Sequence, residues 1–332
     1  MIIFIQRLKL VACIFLSALL FPTLAQAKTW KPEHSVEFVV PAGPGAALDT
    51  AARQLQKQLE QSKLLDQTLV IVNRPGGSGL IALQVLRAHD ANSHWLSTFT
   101  TGMINARALN PKETLSYDEM TPIALLLEES MLVAVRADSP LKSAQDLVKK
   151  LKAAPDSVSI AIATSVGNHI HLAIAKPLKK AGVDVSKVVV VPYKSSGESI
   201  NALLGGHVDV VSASTPNVLA QYKAGTIRLL AVSTEHRLSG DLAAVPTWKE
   251  QGVDAVFTSV QGVIGPKNMS KEQLAYWENS LEKISKSKEW NEFLTKQLWT
   301  PHFKNSKEMK KELEAHYQNT KELLQDLKLT RQ

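Results

Sequence analysis

The chain has 332 residues, 45% hydrophobic and 21% charged, and 38 Lys and Arg against 31 Asp and Glu give a formal charge of +7. That length accommodates two domains, each able to bury a core without covalent staples, and a single cysteine, Cys13, excludes a disulfide framework or a cysteine metal site. The positive excess sits in Lys-rich helical stretches near residues 142–152 and 281–328 without interleaved aromatics, the pattern of solvated helix faces, so nucleic acid is not an expected partner.

Residues 1–27 read as a secretory leader. Arg7 and Lys9 precede the apolar run from Leu10 to Leu20, and Ala25-Gln26-Ala27 offers small residues for cleavage. The mature protein then begins at Lys28, without Cys13. Leu10-Val11-Ala12-Cys13 looks like a lipoprotein box, but Lys9 leaves almost no apolar region ahead of the cysteine. No later stretch approaches the roughly 20 uncharged residues of a membrane helix, and an exported, soluble product is expected.

Val36 to Val40 has a strand signal, and Asp49 to Leu59 has the apolar spacing of a helix. Thr68 to Val72 and Leu80 to Ala88 repeat the pair, giving βαβα with short parallel strands. Two glycine-rich turns join these elements: Pro41-Ala42-Gly43-Pro44-Gly45-Ala46-Ala47-Leu48-Asp49 and Asn73-Arg74-Pro75-Gly76-Gly77-Ser78-Gly79. Each leaves the amides at a helix N-terminus unblocked, which suits an anion without requiring a fixed cation.

A third strand, Trp95 to Thr100, ends at Thr100-Thr101-Gly102, and a later one, Met131 to Val135, precedes a helix opened by Asp138-Ser139-Pro140. Strands at Ser159 to Ala163, Val188 to Val191, Val208 to Val211 and Ile227 to Val232 then alternate with helices at His169 to Ala181, Gly197 to Leu204 and Pro216 to Ala224. Val256 to Ile264 returns the chain to the first domain, and Lys271 to Leu327 reads as almost wholly helical. The expected organisation is therefore α/β in two lobes: residues 28–130 with 255–332, and residues 131–254. Crossings near Met131 and Val256 would let the lobes hinge around a cleft at the strands' carboxyl ends.

Enzyme motifs are near-misses. Gly43-Pro44-Gly45-Ala46-Ala47-Leu48 lies where a dinucleotide fingerprint would, but its sixth position is leucine and the next strand ends in Asn73-Arg74 rather than a ribose-binding carboxylate. No Walker lysine motif occurs. Gly76-Gly77-Ser78-Gly79-Leu80 lacks the last glycine of a nucleophile elbow, which leaves a small-ester hydrolase using Ser78 as a weak alternative. His169 and His171, two apart in a helix, point to opposed sides and do not make a metal pair. Neither cofactor nor metal is expected.

Taken together, Pro41-Ala42-Gly43-Pro44-Gly45 with Asp49 and Arg53, Asn73-Arg74-Pro75-Gly76-Gly77, Asn110-Pro111, Leu115-Ser116-Tyr117-Asp118, Val191-Pro192-Tyr193-Lys194, Leu203-Leu204-Gly205-Gly206-His207-Val208-Asp209 and Val245-Pro246-Thr247 carry a likeness. The chain resembles the periplasmic binding proteins of tripartite tricarboxylate transporters, the TctC or Bug family, over essentially its whole mature length. Ala134-Val135-Arg136-Ala137-Asp138-Ser139-Pro140 looks closer to the tricarboxylate-binding branch. The resemblance implies a two-lobed Venus-flytrap fold, type II-like, that captures a carboxylate in the periplasm, has no catalytic activity, and serves a membrane permease of one large and one small subunit. A monomer is expected; a ligand sensor for a membrane signalling partner is a further alternative.

It also implies the site. In the first lobe, Gly43, Gly45, Ala46 and Ala47 meet one ligand carboxylate through main-chain amides and ordered water, with Asp49 shaping the loop. The residues themselves add Gly77 and Ser78 through the open amides of the second turn, and Thr101, whose hydroxyl at the third strand's end suits an anion. Ser165, Asn168, His169, Tyr193 and Ser195 of the second lobe hold the ligand's other end, although the first three also suit helix capping and Tyr193 suits packing. Arg74 either neutralises the ligand or ties its turn to a carboxylate, and the tie is the favoured reading. Three departures from the family's usual pattern, Gly45-Ala46, Lys194-Ser195 and Ala163-Thr164-Ser165-Val166-Gly167-Asn168-His169, fall where ligand identity should be set.

Overall fold

A computed structural model describes residues 30–110 and 115–330. The expected leader, the start at Lys28 and Pro111 lie outside the described residues. The opening alternation forms β1 (Val36–Val40), α1 (Ala47–Gln61), β2 (Leu69–Asn73), α2 (Leu80–Arg87) and β3 (Trp95–Thr100). These strands pair in parallel, with β1 between β2 and β3. A helix the sequence pattern did not announce, α3 (Thr101–Leu109), follows β3 directly, because the Thr100 hydroxyl caps it by accepting from the Gly102 amide at 3.4 Å.

The strand expected over Met131 to Val135 is far longer: β4 (Thr121–Arg136) has 16 residues. In the second lobe lie α4 (Ala144–Ala153), β5 (Ser159–Ala163), α5 (His169–Lys180), β6 (Val189–Tyr193), α6 (Ser196–Leu204), β7 (Val210–Ser214), α7 (Thr215–Lys223) and β8 (Ile227–Val232). Asp138-Ser139-Pro140 does not open α4. Its start is fixed by Ser143, whose hydroxyl accepts from the Asp146 amide while the Asp146 carboxylate accepts from the Ser143 amide, a capping box.

The chain returns as β9 (Thr258–Gly265), followed by α8 (Lys271–Ser285), α9 (Lys288–Gln297), β10 (Thr300–Asn305) and α10 (Ser306–Asp326). β10 interrupts the segment expected to be almost wholly helical. Leu298, with φ 58°, ends α9 in the left-handed region, and β10 then pairs antiparallel with β4.

β4 organises both halves of the sheet. Its first half pairs with β9 on one edge and β10 on the other, and its second half pairs with β8 and β7. β8 and β9 therefore follow one another along one edge of β4, and β7 and β10 along the opposite edge. The strands of β4, β9 and β10 are antiparallel, unlike the parallel runs β2-β1-β3 and β7-β5-β6. Alternation along β4 divides its side chains between two cores: Met131, Val133 and Val135 join Leu147, Leu172 and Leu324, whereas Leu132 and Ala134 join Ile200, Leu203 and Val218. Truncating a fully buried leucine such as Leu132 would cost about 2–5 kcal/mol. This packing sets the carboxyl ends of β1, β2 and β3, and of β5, β6 and β7, at the helix N-termini that form the candidate site.

Candidate functional site

In the first lobe one carboxylate holds two turns together. Asp49, 1% exposed, accepts from the Gly45 amide and the Arg53 Nε on Oδ2 and from the Asn73 Nδ2 on Oδ1, each at 2.8 Å. Asn73 also donates to the Ala42 carbonyl at 2.9 Å, locking the end of β2 against the loop after β1. The Arg53 hydrogen bond, opposed by burial and aided by Gly45 and Asn73, lowers the Asp49 pKa to about 2. An ionised Asp49 is acceptor-only, so it organises the turns and offers nothing to a negatively charged ligand.

This arrangement corrects part of the expected donor set. The Gly45 amide is consumed by Asp49, and the Ala46 amide donates to the Gly43 carbonyl at 3.2 Å, so neither is available to a ligand. The amides of Ala47, Leu48 and Asp49, in the first turn of α1, have no acceptor among the described residues. In the second turn Gly76, Gly77, Ser78 and Gly79 all have positive φ, and the Gly77 and Ser78 amides are likewise without an acceptor among the described residues. A Cβ on Gly79 would lie 2.8 Å from Met103, so the turn packs on α3 only because that residue is glycine.

Thr101 does not serve as expected. It is 1% exposed, and its hydroxyl accepts from the Val260 amide at 2.8 Å, which turns it into β9 and away from solvent. Arg74 makes no ion pair among the described residues, contrary to the expected tie; only its amide is engaged, by the Val40 carbonyl at 2.8 Å.

The second lobe uses side chains where the first uses backbone. Asn168 caps α5: its Oδ1 accepts from the His171 amide at 3.0 Å, and its Nδ2 donates to the Ala163 carbonyl and the Thr164 hydroxyl. Ser195 caps α6 by accepting from the Glu198 amide at 3.2 Å, while the Glu198 carboxylate accepts from the Lys194 amide. These two expected ligand groups are therefore capping groups first. Tyr193 packs against the core beneath α6 and its carbonyl accepts from the Thr164 amide at 2.7 Å.

Ser165 is exposed with no hydroxyl partner among the described residues, and His169 is partly buried at the first position of α5. Burial lowers the pKa of both His169 and His171 to about 4, so both rings are neutral at pH 7. The two do lie on different sides of the helix, as their spacing requires: His171 is buried, with Nδ1 accepting from the Gly167 amide at 3.0 Å. The amides of His169, Ile170, Ser196 and Gly197 have no acceptor among the described residues.

Residues outside the expected set complete the arrangement. Asn217 at the start of α7 donates to Ser214 at 2.6 Å and to Ser196 at 3.3 Å, joining the ends of β6 and β7. Its sequence signal was the hydroxyl-rich Ser212-Ala213-Ser214-Thr215-Pro216 after a strand, with proline in the first helical turn. Asn105 of α3, 3% exposed, donates to the Gly167 carbonyl at 3.3 Å and ties the two lobes' turns together. Nothing local in the sequence marks Asn105 for that role.

Paired clusters of open amides at strand ends, one in each lobe and spanned by β4, match a solute-receptor architecture. A family model for the tripartite tricarboxylate transporter family receptor, TctC, matches residues 51–329. The chain belongs to the TctC family. Its relatives include the "UPF0065 protein in gbd 5'region" of Cupriavidus necator, 30% identical over 296 residues that cover 86% of this chain and 85% of that protein. Among solved structures, a TctC solute-binding protein from Polaromonas superposes with a TM-score of 0.77 at 24% identity, over 89% of this chain and 99% of that one. A second solved structure, "R. palustris Rpa4515 with adipate", gives a TM-score of 0.73 at 25% identity, covering 90% of this chain and 98% of that one. The two-lobed α/β fold is thus that of the TctC solute-binding proteins.

Proposed function

We propose that this TctC-family receptor is exported to the periplasm, binds a small di- or tricarboxylate between its lobes, and delivers it as a monomer to a permease of one large and one small subunit. The observation that carries the reading is the set of main-chain amides at Ala47, Leu48, Asp49, Gly77 and Ser78 without acceptors among the described residues, in two turns tied to each other by the Asp49–Asn73 hydrogen bond. Helix N-termini favour a carboxylate by roughly 0.3–1 kcal/mol each, and each hydrogen bond to a charged group adds about 1.5–3 kcal/mol. Four or five such bonds reach the roughly 8 kcal/mol of micromolar binding with a margin for ordering the lobes.

In the second lobe, the His169, Ile170, Ser196 and Gly197 amides and the Ser165 hydroxyl take the far carboxylate, while neutral His169 adds a donor or acceptor without charge. The side chains of Arg74 and Lys194, which make no ion pair among the described residues, supply positive potential at the turns. The solved structure of R. palustris Rpa4515 is with adipate, which supports a linear dicarboxylate as the ligand class. A hydrolytic reading finds no support, since Ser78 has no hydrogen-bonded base among the described residues and so no activation.

Calorimetry with citrate, tricarballylate, succinate, adipate, malate, glutamate and an aromatic acid tests the reading. Micromolar binding of at least one aliphatic di- or tricarboxylate is expected, with the acid recovered unchanged. Silence across the series, or turnover of a model ester lost in Ser78→Ala, would overturn it.

A further inference from the structure

In the antiparallel part of the sheet, His302 of β10 is bracketed by two carboxylates. Its Nδ1 lies 3.3 Å from Glu128 Oε1 of β4, and its Nε2 lies 2.8 Å and 3.0 Å from the carboxylate oxygens of Glu312 on α10. All three side chains are about four-fifths buried, with 20%, 20% and 22% exposure. Glu128 Oε1 also accepts from the Thr258 hydroxyl at 3.2 Å, so the same carboxylate reaches the first residue of β9. Ligand-type atoms of Glu128, His302 and Glu312 fall within 4.8 Å of one another. The two carboxylates nevertheless face opposite nitrogens of one ring, and a single ion binds only one of those nitrogens, so the geometry suits two protons rather than one metal ion.

The position of this triad gives it a mechanical consequence. Glu128 lies one residue before the stretch of β4 that passes from β10 to β7 pairing, and Thr258 starts the return strand. The neighbouring return segment is held by Lys176 of α5, whose Nζ donates to the Val256 carbonyl at 2.7 Å. We propose that doubly protonated His302 is a proton-operated clasp that fixes both crossing strands to α10, and that loss of one ring proton frees them. Neutral imidazole has one N–H, so it can donate to one carboxylate and must turn a lone pair toward the other, which for Glu128 leaves only the Thr258 hydroxyl as donor. This inference requires no ligand and is independent of the transport reading.

The charged groups around the ring favour its protonated form on balance. Burial pulls the His302 pKa down, but the Glu312 hydrogen bond and the charges of Glu128 and Glu312 outweigh it against Lys304 of β10, for a net rise. His316 on α10, 3.8 Å from Glu312, and Lys176 beyond it complete the surroundings. A raised folded-state pKa means that the clasp is fully made below the unfolded value of about 6.5 and is lost as pH rises through the folded value.

The test uses the mature chain without added ligand. Imidazole NMR should give His302 a midpoint above about 6.5, lowered in both Glu128→Gln and Glu312→Gln. Amide protection factors over residues 128–131 and 256–259 should fall about tenfold between about pH 6 and pH 9, and His302→Gln should show the low values at both. Circular dichroism and the melting transition check that each variant folds, and the two carboxamide variants carry the test should His302→Gln not fold. A midpoint at or below the ordinary value, carboxamide variants that leave it unmoved, or protection independent of pH would overturn the proposal.

Discussion

The two lobes build their candidate turns at helix N-termini by opposite means. In the first lobe the turns are shaped by left-handed glycines and by one buried carboxylate, and few side chains stand between the amides and a ligand. In the second, Asn168, Ser195 and Glu198 cap the helices and take up part of the donor capacity themselves. Bare backbone recognises a carboxylate in general. A rim of capping side chains can be altered from one receptor to another without rebuilding the fold, so on the proposed reading anion capture falls to the first lobe and discrimination to the second.

The largest effect should come from Asp49→Ala, which leaves three donors around a buried site without their acceptor. A loss of about 2–3 kcal/mol is expected in urea unfolding, together with loss of carboxylate binding; near-wild-type stability would break the claim that Asp49 organises the first lobe. Acid probes the same group. Its folded pKa lies below the unfolded one, so its contribution is present above about pH 4 and disappears as pH falls toward 2. Unfolding midpoints across that range should drop more steeply in the wild type than in Asp49→Asn.

Gly43→Val separates shape from recognition. Its Cβ would meet nothing within 4 Å and its φ is ordinary, whereas Gly45 has φ +79° and any side chain there strains the loop. Affinity should fall about tenfold or more, equivalent to about 1.4 kcal/mol, with stability within about 0.5 kcal/mol of the wild type. Unchanged affinity would remove the first turn from the site. Asn168→Ala should cost about 1 kcal/mol through the lost cap, and Ser195→Ala less because that cap is exposed. If either change also shifts the ranking of citrate against adipate, the second lobe's selective role is sharpened; if both alter stability alone, the assignment of discrimination to that lobe fails.

The alternation of apolar strands and helices was legible because period-two and period-3.6 patterns are local properties, and Ile227 to Val232 came out with its observed bounds. The C-terminal strand β10 was hidden because Thr300-Pro301-His302-Phe303-Lys304-Asn305 is half polar and becomes a strand only through pairing with β4. α3 was hidden for a related reason: Thr101 looks like a strand end until its hydroxyl is seen bonded to Val260, 159 residues away. At the site, glycine turns announced the open amides, but which amides stay open depended on where Asp49 and Asn168 directed their oxygens. His302 escaped notice because its partners lie on β4 and α10, and no spacing in the chain connects them.

One feature of the frame limits how the molecule can move. With β4 running unbroken through both halves and flanked along each edge by strands laid end to end, the lobes share a stiff spine rather than a pair of slack tethers. Motion must be concentrated in the few rungs around residues 129–131, where edge partners change over. Such a beam twists through small angles and springs back, so on the proposed reading the lobes meet a ligand by a slight twist at this one place rather than by a wide gape.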